Sequence, residues 1–175
     1  MLKVLVNGAL GKMGRETLKA VNNAPELQLV GAVDINAHNQ PLSSILGTDC
    51  PLVANNDLAA ALAELKPDIV VDFTRPDVVM SNLRIVLAHG VAAVVGTTGF
   101  TDENREELDL LAKTNNTSIL IAPNFSVGAI LMMKYAAEIV KYMPKAEIIE
   151  LHHDQKLDAP SGTAVLTAKK MIEAR

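Results

Sequence analysis

The chain has 175 residues, 49% hydrophobic and 21% charged, enough for one globular domain or for one domain and part of a second. Its formal net charge is −4 with no basic run, which argues against nucleic acid as a partner, because neutralising phosphates needs clustered Lys and Arg. A single cysteine, Cys50, excludes an internal disulfide and fits a reducing compartment. The N-terminus lacks the pattern of a secretory signal and no apolar stretch reaches membrane-spanning length, so a cytoplasmic protein with no membrane partner is expected. With 3% aromatics and no Trp, the core must come from Val, Leu, Ile, Ala and Met, as in buried parallel sheets covered by helices.

In chain order, residues 3–7 read as a strand ending in glycine, and 15–22 as a helix with Leu18 and Val21 on one face. Residues 27–33 form the next apolar run, which stops at Asp34. Asp57 is placed to N-cap a helix over 58–65 that Pro67 ends. A strand over 69–73 and a helix over about 77–89 follow, with Gly90 at its end. Residues 91–95 are a buried strand running into Gly96-Thr97-Thr98-Gly99. Thr101 opens an acidic-first helix, and 118–122 is a further strand. This alternation predicts an α/β fold, a Rossmann-type doubly wound parallel sheet over residues 1–122.

After Pro123 the rhythm changes: a long helix over 127–142, a strand over 147–152, a polar loop and a helix from about Thr163. We read 123–175 as the beginning of an α+β substrate and oligomerisation domain, a partial substrate-binding and catalytic domain. One strand between two helices has nothing to pair with inside the segment.

Three motifs carry chemistry. Gly8-Ala9-Leu10-Gly11-Lys12-Met13-Gly14, between a strand and a helix, lets backbone amides approach a pyrophosphate at the helix N-terminus. Asp34, 20 residues after Gly14, can accept hydrogen bonds from an adenosine ribose. A P-loop is excluded, since Lys12 has the wrong spacing and Met13 stands where a magnesium-binding hydroxyl belongs. A short-chain dehydrogenase is excluded because neither Tyr135 nor Tyr142 has a lysine four residues later. Asp34 would repel a 2′-phosphate and Ile35 offers no compensating cation, so NADH is expected over NADPH.

The second motif is Gly96-Thr97-Thr98-Gly99, at a strand's carboxyl end where open α/β sheets bind ligands; its plain alternative is a polar turn. Asp72-Phe73-Thr74-Arg75-Pro76 ends another strand the same way, and Arg75 could equally be a solvated loop charge. The third motif is the run from Glu150 to Ala164, E-L-H-H-D-Q-K-L-D-A-P-S-G-T-A. Two histidines and a lysine within five residues offer a proton donor near neutral pH and fixed positive charge. Ser161, Gly162 and Thr163 then open a helix suited to an anion. Such a set fits an anionic substrate that is protonated as it is reduced, although taken alone it could be a polar loop with a helix cap. Metal binding is disfavoured, because adjacent histidines on a strand point to opposite sides and no third histidine or thiolate is at hand.

That run resembles the signature of the 4-hydroxy-tetrahydrodipicolinate reductase (dihydrodipicolinate reductase) family. G-A-L-G-K-M-G-R, D-F-T-R-P, V-V-G-T-T-G-F and P-N-F-S-V-G fall in the family's order, and the similarity covers all 175 residues. The resemblance implies an NAD(P)H-dependent oxidoreductase of diaminopimelate and lysine biosynthesis. It would reduce 4-hydroxy-tetrahydrodipicolinate to tetrahydrodipicolinate with loss of water. By the same resemblance Gly8, Ala9, Leu10, Gly11, Lys12 and Met13 would hold the pyrophosphate and Asp34 the ribose. Gly96, Thr97, Thr98, Ala122, Pro123, Asn124 and Phe125 would line the nicotinamide side. His152 and Lys156 would be catalytic, with His153, Gly162 and Thr163 binding the substrate's carboxylates.

Many members have arginine in place of Lys12 and some a basic residue in place of Ile35. Family members also run on past this chain's last helix, through the rest of a sheet that builds a homotetramer. A tetramer is therefore implied for a complete chain and doubtful for this segment. Two other readings are a nucleotide-binding module without turnover and another Rossmann-type oxidoreductase, such as an aspartate or aldehyde dehydrogenase relative; an aldehyde dehydrogenase would need a catalytic cysteine, and Cys50 lies away from the substrate segment.

Overall fold

Apolar runs buried on both sides become parallel strands here, and the helices between them cover the two faces of the sheet. The computed structural model describes residues 1–47, 49–122, 124–152, 154 and 159–175. It divides into two compact units, Met1–Ala122 and Pro123–Arg175.

The first unit runs β1 (Leu2–Asn7), α1 (Lys12–Asn23), β2 (Leu27–Val33), β3 (Gln40–Pro41), α2 (Ser43–Leu46), β4 (Val53–Asn55) and α3 (Leu58–Leu65). It continues with β5 (Ile69–Asp72), α4 (Val79–Ala88), β6 (Ala92–Val95), α5 (Asp102–Thr114) and β7 (Ile119–Ile121). The sheet order is β3-β4-β2-β1-β5-β6-β7, with every pair parallel except β3 against β4. The chain starts in the middle at β1, works outward through β2 and β4, then crosses back to β5 and works outward the other way. This is the doubly wound Rossmann arrangement, and its order reverses at β1 and β5.

Strand alternation divides the core. Val4, Val6, Ala32 and Ala54 point to the face covered by Leu18 and Val21 of α1 and Ile45 of α2. Leu5, Val33, Val70, Ala93 and Val95 point to the other face, under α3, α4 and α5, with Leu62, Leu83 and Leu108 completely or almost completely buried. Asp57 caps α3 by accepting from the Ala60 amide at 2.9 Å, and Thr101 and Asn104 form a reciprocal capping box on α5. On the surface, Arg84 of α4 grips Glu107 of α5 through two hydrogen bonds, at 2.5 and 2.9 Å. That bonding holds the Glu107 carboxyl below its ordinary value.

In the second unit, α6 (Val127–Ile139) and α7 (Gly162–Glu173) pack together. Several expected elements shift. Helix α1 starts at Lys12 instead of 15, because Gly11 supplies an extended N-cap and Lys12 and Met13 make the first turn. Helix α6 ends at Ile139, where Tyr142 and Met143 bond back to its carbonyl in a closing turn before Pro144. The strand expected over 147–152 is not formed: a strand needs a ladder partner, and the described residues of this unit supply none. The short β3, α2 and β4 had no periodic run long enough to announce them. No helix among the described residues is long and apolar enough to cross a membrane.

Leu83→Ala is expected to cost about 2–5 kcal/mol in denaturant unfolding. The exposed Leu110→Ala should stay within roughly 0.5 kcal/mol. The Glu107 pKa is lower folded than unfolded, so the Arg84 bridge stabilises above the unfolded value, about 4.3, and its contribution is lost as pH falls through the folded value. The difference in unfolding midpoint between the protein and Glu107→Gln should therefore close on acidification from pH 7.

Candidate functional site

The sheet's register decides which loops meet. Asn7 lies opposite Val33 and Asp72, Asp72 opposite Val95, and Val95 opposite Ile121. The residues that follow these strand ends, Gly8, Asp34, Phe73, Gly96 and Ala122, therefore leave the sheet along one edge. A cleft of about 550 Å³ opens there where the strand order reverses, with Gly8, Gly11, Asp34 and Ile35 on its walls together with Phe73 and Arg75.

The glycine loop is shaped by contacts that admit no side chain. Gly8 has φ +76°, and a Cβ there would come within 2.6 Å of the Phe73 carbonyl oxygen. A Cβ on Gly14 would overlap the Gly8 carbonyl, so α1 packs directly on the loop it follows. Most of the loop's amides are already used. Gly8 and Ala9 donate to the Val33 carbonyl, Gly11 donates to Gly8, and Leu10 donates to Asp34 Oδ2 at 2.9 Å. Among the described residues the amides of Lys12, Met13 and Gly14, in the first turn of α1, have no acceptor, and they carry the positive end of the helix dipole. Arg15 closes the loop from outside, its Nε donating to the Leu10 carbonyl at 2.9 Å.

Asp34 is nearly buried and accepts two amides, Leu10 on Oδ2 and Asn36 on Oδ1. Each oxygen retains a lone pair for a further donor. Ile35 beside it is 81% exposed and brings no cation. Arg75 lines the cleft but is paired with Asp77 at 3.1 Å.

At the ends of β5 and β6 the arrangement is inward. Asp72 is 0% exposed and accepts from Asn7 Nδ2 (2.8 Å), from the Thr74 amide (2.9 Å) and hydroxyl (2.6 Å), and from the Thr97 hydroxyl (3.3 Å). Thr97 is 6% exposed, whereas Thr98 is exposed. Asn7 was not singled out from the sequence, nor was Arg15. The available signal for Asn7 and Asp72 was a polar residue closing an otherwise apolar strand, just before a loop. Cys50 is half-buried against the core on the α1 face.

In the second unit the Ser161 side chain caps α7 at the Ala164 amide, while its own amide and hydroxyl donate to the Glu150 carboxylate. Glu150, two residues before the exposed His152, is thus tied to the residue before Gly162 and Thr163. Asn124 donates to the Thr163 hydroxyl at 3.3 Å and accepts the Ser126 amide at 2.7 Å. The Thr163 hydroxyl accepts there, which leaves its own hydrogen to donate. Pro123, His153 and Lys156 lie outside the described residues. Among the described residues no group of three His, Cys, Asp or Glu side chains is arranged to hold a metal ion.

Family models described as the N-terminus and the C-terminus of dihydrodipicolinate reductase match residues 2–125 and 128–175. The 4-hydroxy-tetrahydrodipicolinate reductase of Syntrophomonas wolfei is 50% identical over 173 residues, which is 98% of this chain and 65% of the relative. That of Listeria welshimeri is 51% identical over 177 residues, 99% of this chain and 66% of the relative. The chain thus spans just under two thirds of the length of these curated relatives. Among solved structures, a dipicolinate-bound dihydrodipicolinate reductase from Paenisporosarcina sp. TG-14 superposes with a TM-score of 0.81 at 40% identity, covering 100% of this chain and 67% of that one. GenD2 of gentamicin A biosynthesis, solved with NAD, shares the fold alone: TM-score 0.64, 21% identity, 78% of this chain and 39% of that one. With both family models matched in order and about half the residues identical across nearly its whole length, the chain belongs to the dihydrodipicolinate reductase family.

Proposed function

We propose that residues 1–122 form the dinucleotide-binding domain, and 123–175 part of the substrate domain, of an NAD(P)H-dependent 4-hydroxy-tetrahydrodipicolinate reductase of diaminopimelate and lysine biosynthesis, working in the cytoplasm. The observation that carries the reading is the arrangement at the strand-order reversal: a glycine loop closed on itself and a nearly buried acid on the walls of one cleft, with the unspent first-turn amides of α1 directly after that loop. Family membership selects the substrate, a small dicarboxylate. Assembly into a homotetramer is proposed only for a chain of the relatives' full length.

The residues fit a dinucleotide. The Lys12 and Met13 amides would take the pyrophosphate, and Gly8, Ala9, Leu10 and Gly11 would shape its bed. Asp34 would accept from the adenosine ribose. Gly96, Thr97, Thr98, Ala122, Pro123, Asn124 and Phe125 would form the nicotinamide side. The bound cofactor supplies the hydride that C4 of the substrate ring receives. On the chain's side, His152 or Lys156 would deliver the proton that lets the 4-hydroxyl leave as water. His153, the Gly162 amide and the Thr163 hydroxyl would hold the carboxylates at the N-terminus of α7, where the helix dipole favours an anion. Glu150 would keep that turn next to the histidine segment through Ser161. NADH is preferred in this reading, because Asp34 repels a 2′-phosphate and the neighbouring Ile35 cannot neutralise it.

The first experiment is NADH oxidation by the purified chain, with substrate generated in situ from pyruvate and aspartate semialdehyde. His152→Gln should lose at least about 100-fold in kcat while the NADH dissociation constant stays within about twofold. Unchanged turnover would remove His152 from the mechanism. NADH binding without turnover in the unaltered chain would instead favour a nucleotide-binding module. For cofactor choice, Ile35→Arg should tighten NADPH binding by about tenfold, read by direct titration of both cofactors; an unchanged ratio of the two affinities would sink the preference argument.

A further inference from the structure

We propose that Asp72 is a positioning residue that sets the nicotinamide side of the proposed dinucleotide site by turning Thr97 and Thr74 inward. The proposal rests on the dinucleotide reading of the cleft and goes beyond it, since it assigns the carboxylate no contact with the cofactor. Asp72 sits at the carboxyl end of β5, between the ends of β1 and β6, at the strand-order reversal. It is completely buried, and it takes part in no ion pair among the described residues. Among the described residues its carboxylate is bonded by four donors: the Asn7 amide nitrogen, the Thr74 amide and hydroxyl, and the Thr97 hydroxyl.

A carboxylate only accepts, so it imposes one orientation on every group around it, whereas asparagine would turn an NH₂ against at least one of these donors. The Thr97 hydroxyl hydrogen is held between two acceptors of the β5 end, Asp72 Oδ1 at 3.3 Å and the Thr74 carbonyl at 3.2 Å. Asn82 on α4 donates to the Thr74 hydroxyl at 3.3 Å, which ties the same loop to the helix behind it. Thr97 therefore spends its hydroxyl inside the protein, and the exposed Thr98 with the loop backbone is left to meet the nicotinamide. The unit assembled is a three-strand hub: β1 through Asn7, β5 through Thr74 and β6 through Thr97.

The test separates the two ends of the cofactor. NADH and ADP-ribose, which keeps the adenosine, pyrophosphate and terminal ribose but has no nicotinamide, are titrated by calorimetry into the chain and into Asp72→Asn, Thr97→Val and Thr97→Ser, with folding checked by circular dichroism. Asp72→Asn and Thr97→Val are expected to weaken NADH at least tenfold while ADP-ribose stays within twofold, and Thr97→Ser, which keeps the hydroxyl, should restore the parent value. Equal weakening of both ligands, or unchanged NADH binding in the folded variants, overturns the assignment. If Asp72→Asn does not fold, Thr97→Val and Thr97→Ser decide it by the same criterion. Failure of the unaltered chain to bind either ligand overturns the cofactor reading itself and this assignment with it.

Discussion

Helix α1 rests on the Gly8 carbonyl with no side chain between them, and Gly8 in turn rests on the carbonyl of Phe73. A single Cβ at either glycine would force backbone apart from backbone. Much else at the cleft follows from this contact. It brings the first helix turn close to the end of β1. It also brings the β1 and β5 loops together at the point where the strand order changes direction. The parallel register then carries the alignment outward, so that the loops after β2, β6 and β7 leave along the same edge.

Two nearly or fully buried acids organise that edge, and neither takes part in an ion pair among the described residues. Burying a carboxylate is expensive unless donors surround it, and here they do. Asp34 is held by the backbone amides of Leu10 and Asn36, which ties the glycine loop to the end of β2. Asp72 is held mainly by side chains and joins three strands. The first acid still has lone pairs toward the cleft, while the donors of the second all belong to the protein. One residue type thus ties backbone to backbone in one place and joins side chains of three strands in the other.

The second unit uses the same device on a smaller scale. Ser161 caps α7 and at the same time donates to Glu150, so the start of the helix and the segment leading to His152 are held together by one carboxylate. Many of this unit's apolar side chains face outward, among them Val127, Tyr142, Ile149 and Leu151. Its two helices cover one another, and among the described residues no strand of this unit gives them a sheet to cover.

The amino-acid pattern was sufficient for much of this. Continuous apolar strands alternating with amphipathic helices specify a doubly wound parallel sheet because each strand must be covered on both faces. The glycine spacing marked a tight loop between β1 and α1, because Gly8 and Gly14 stand where backbone approaches backbone too closely for a side chain. Asp57, Thr101 and Ser161 announced their helices because a cap is a local interaction between residues three apart. What only the tertiary structure decided is of a different kind. The sequence could not say that Gly8, Ala9 and Leu10 spend their amides internally while Lys12, Met13 and Gly14 do not, because Val33 and Asp34 arrive from another strand. It could not distinguish Thr97 from its neighbour Thr98, because the acceptor that buries one lies 25 residues away in the chain. It also made 147–152 look like a strand, because β character is written locally, whereas a strand exists only when another chain segment supplies the second half of its hydrogen bonds.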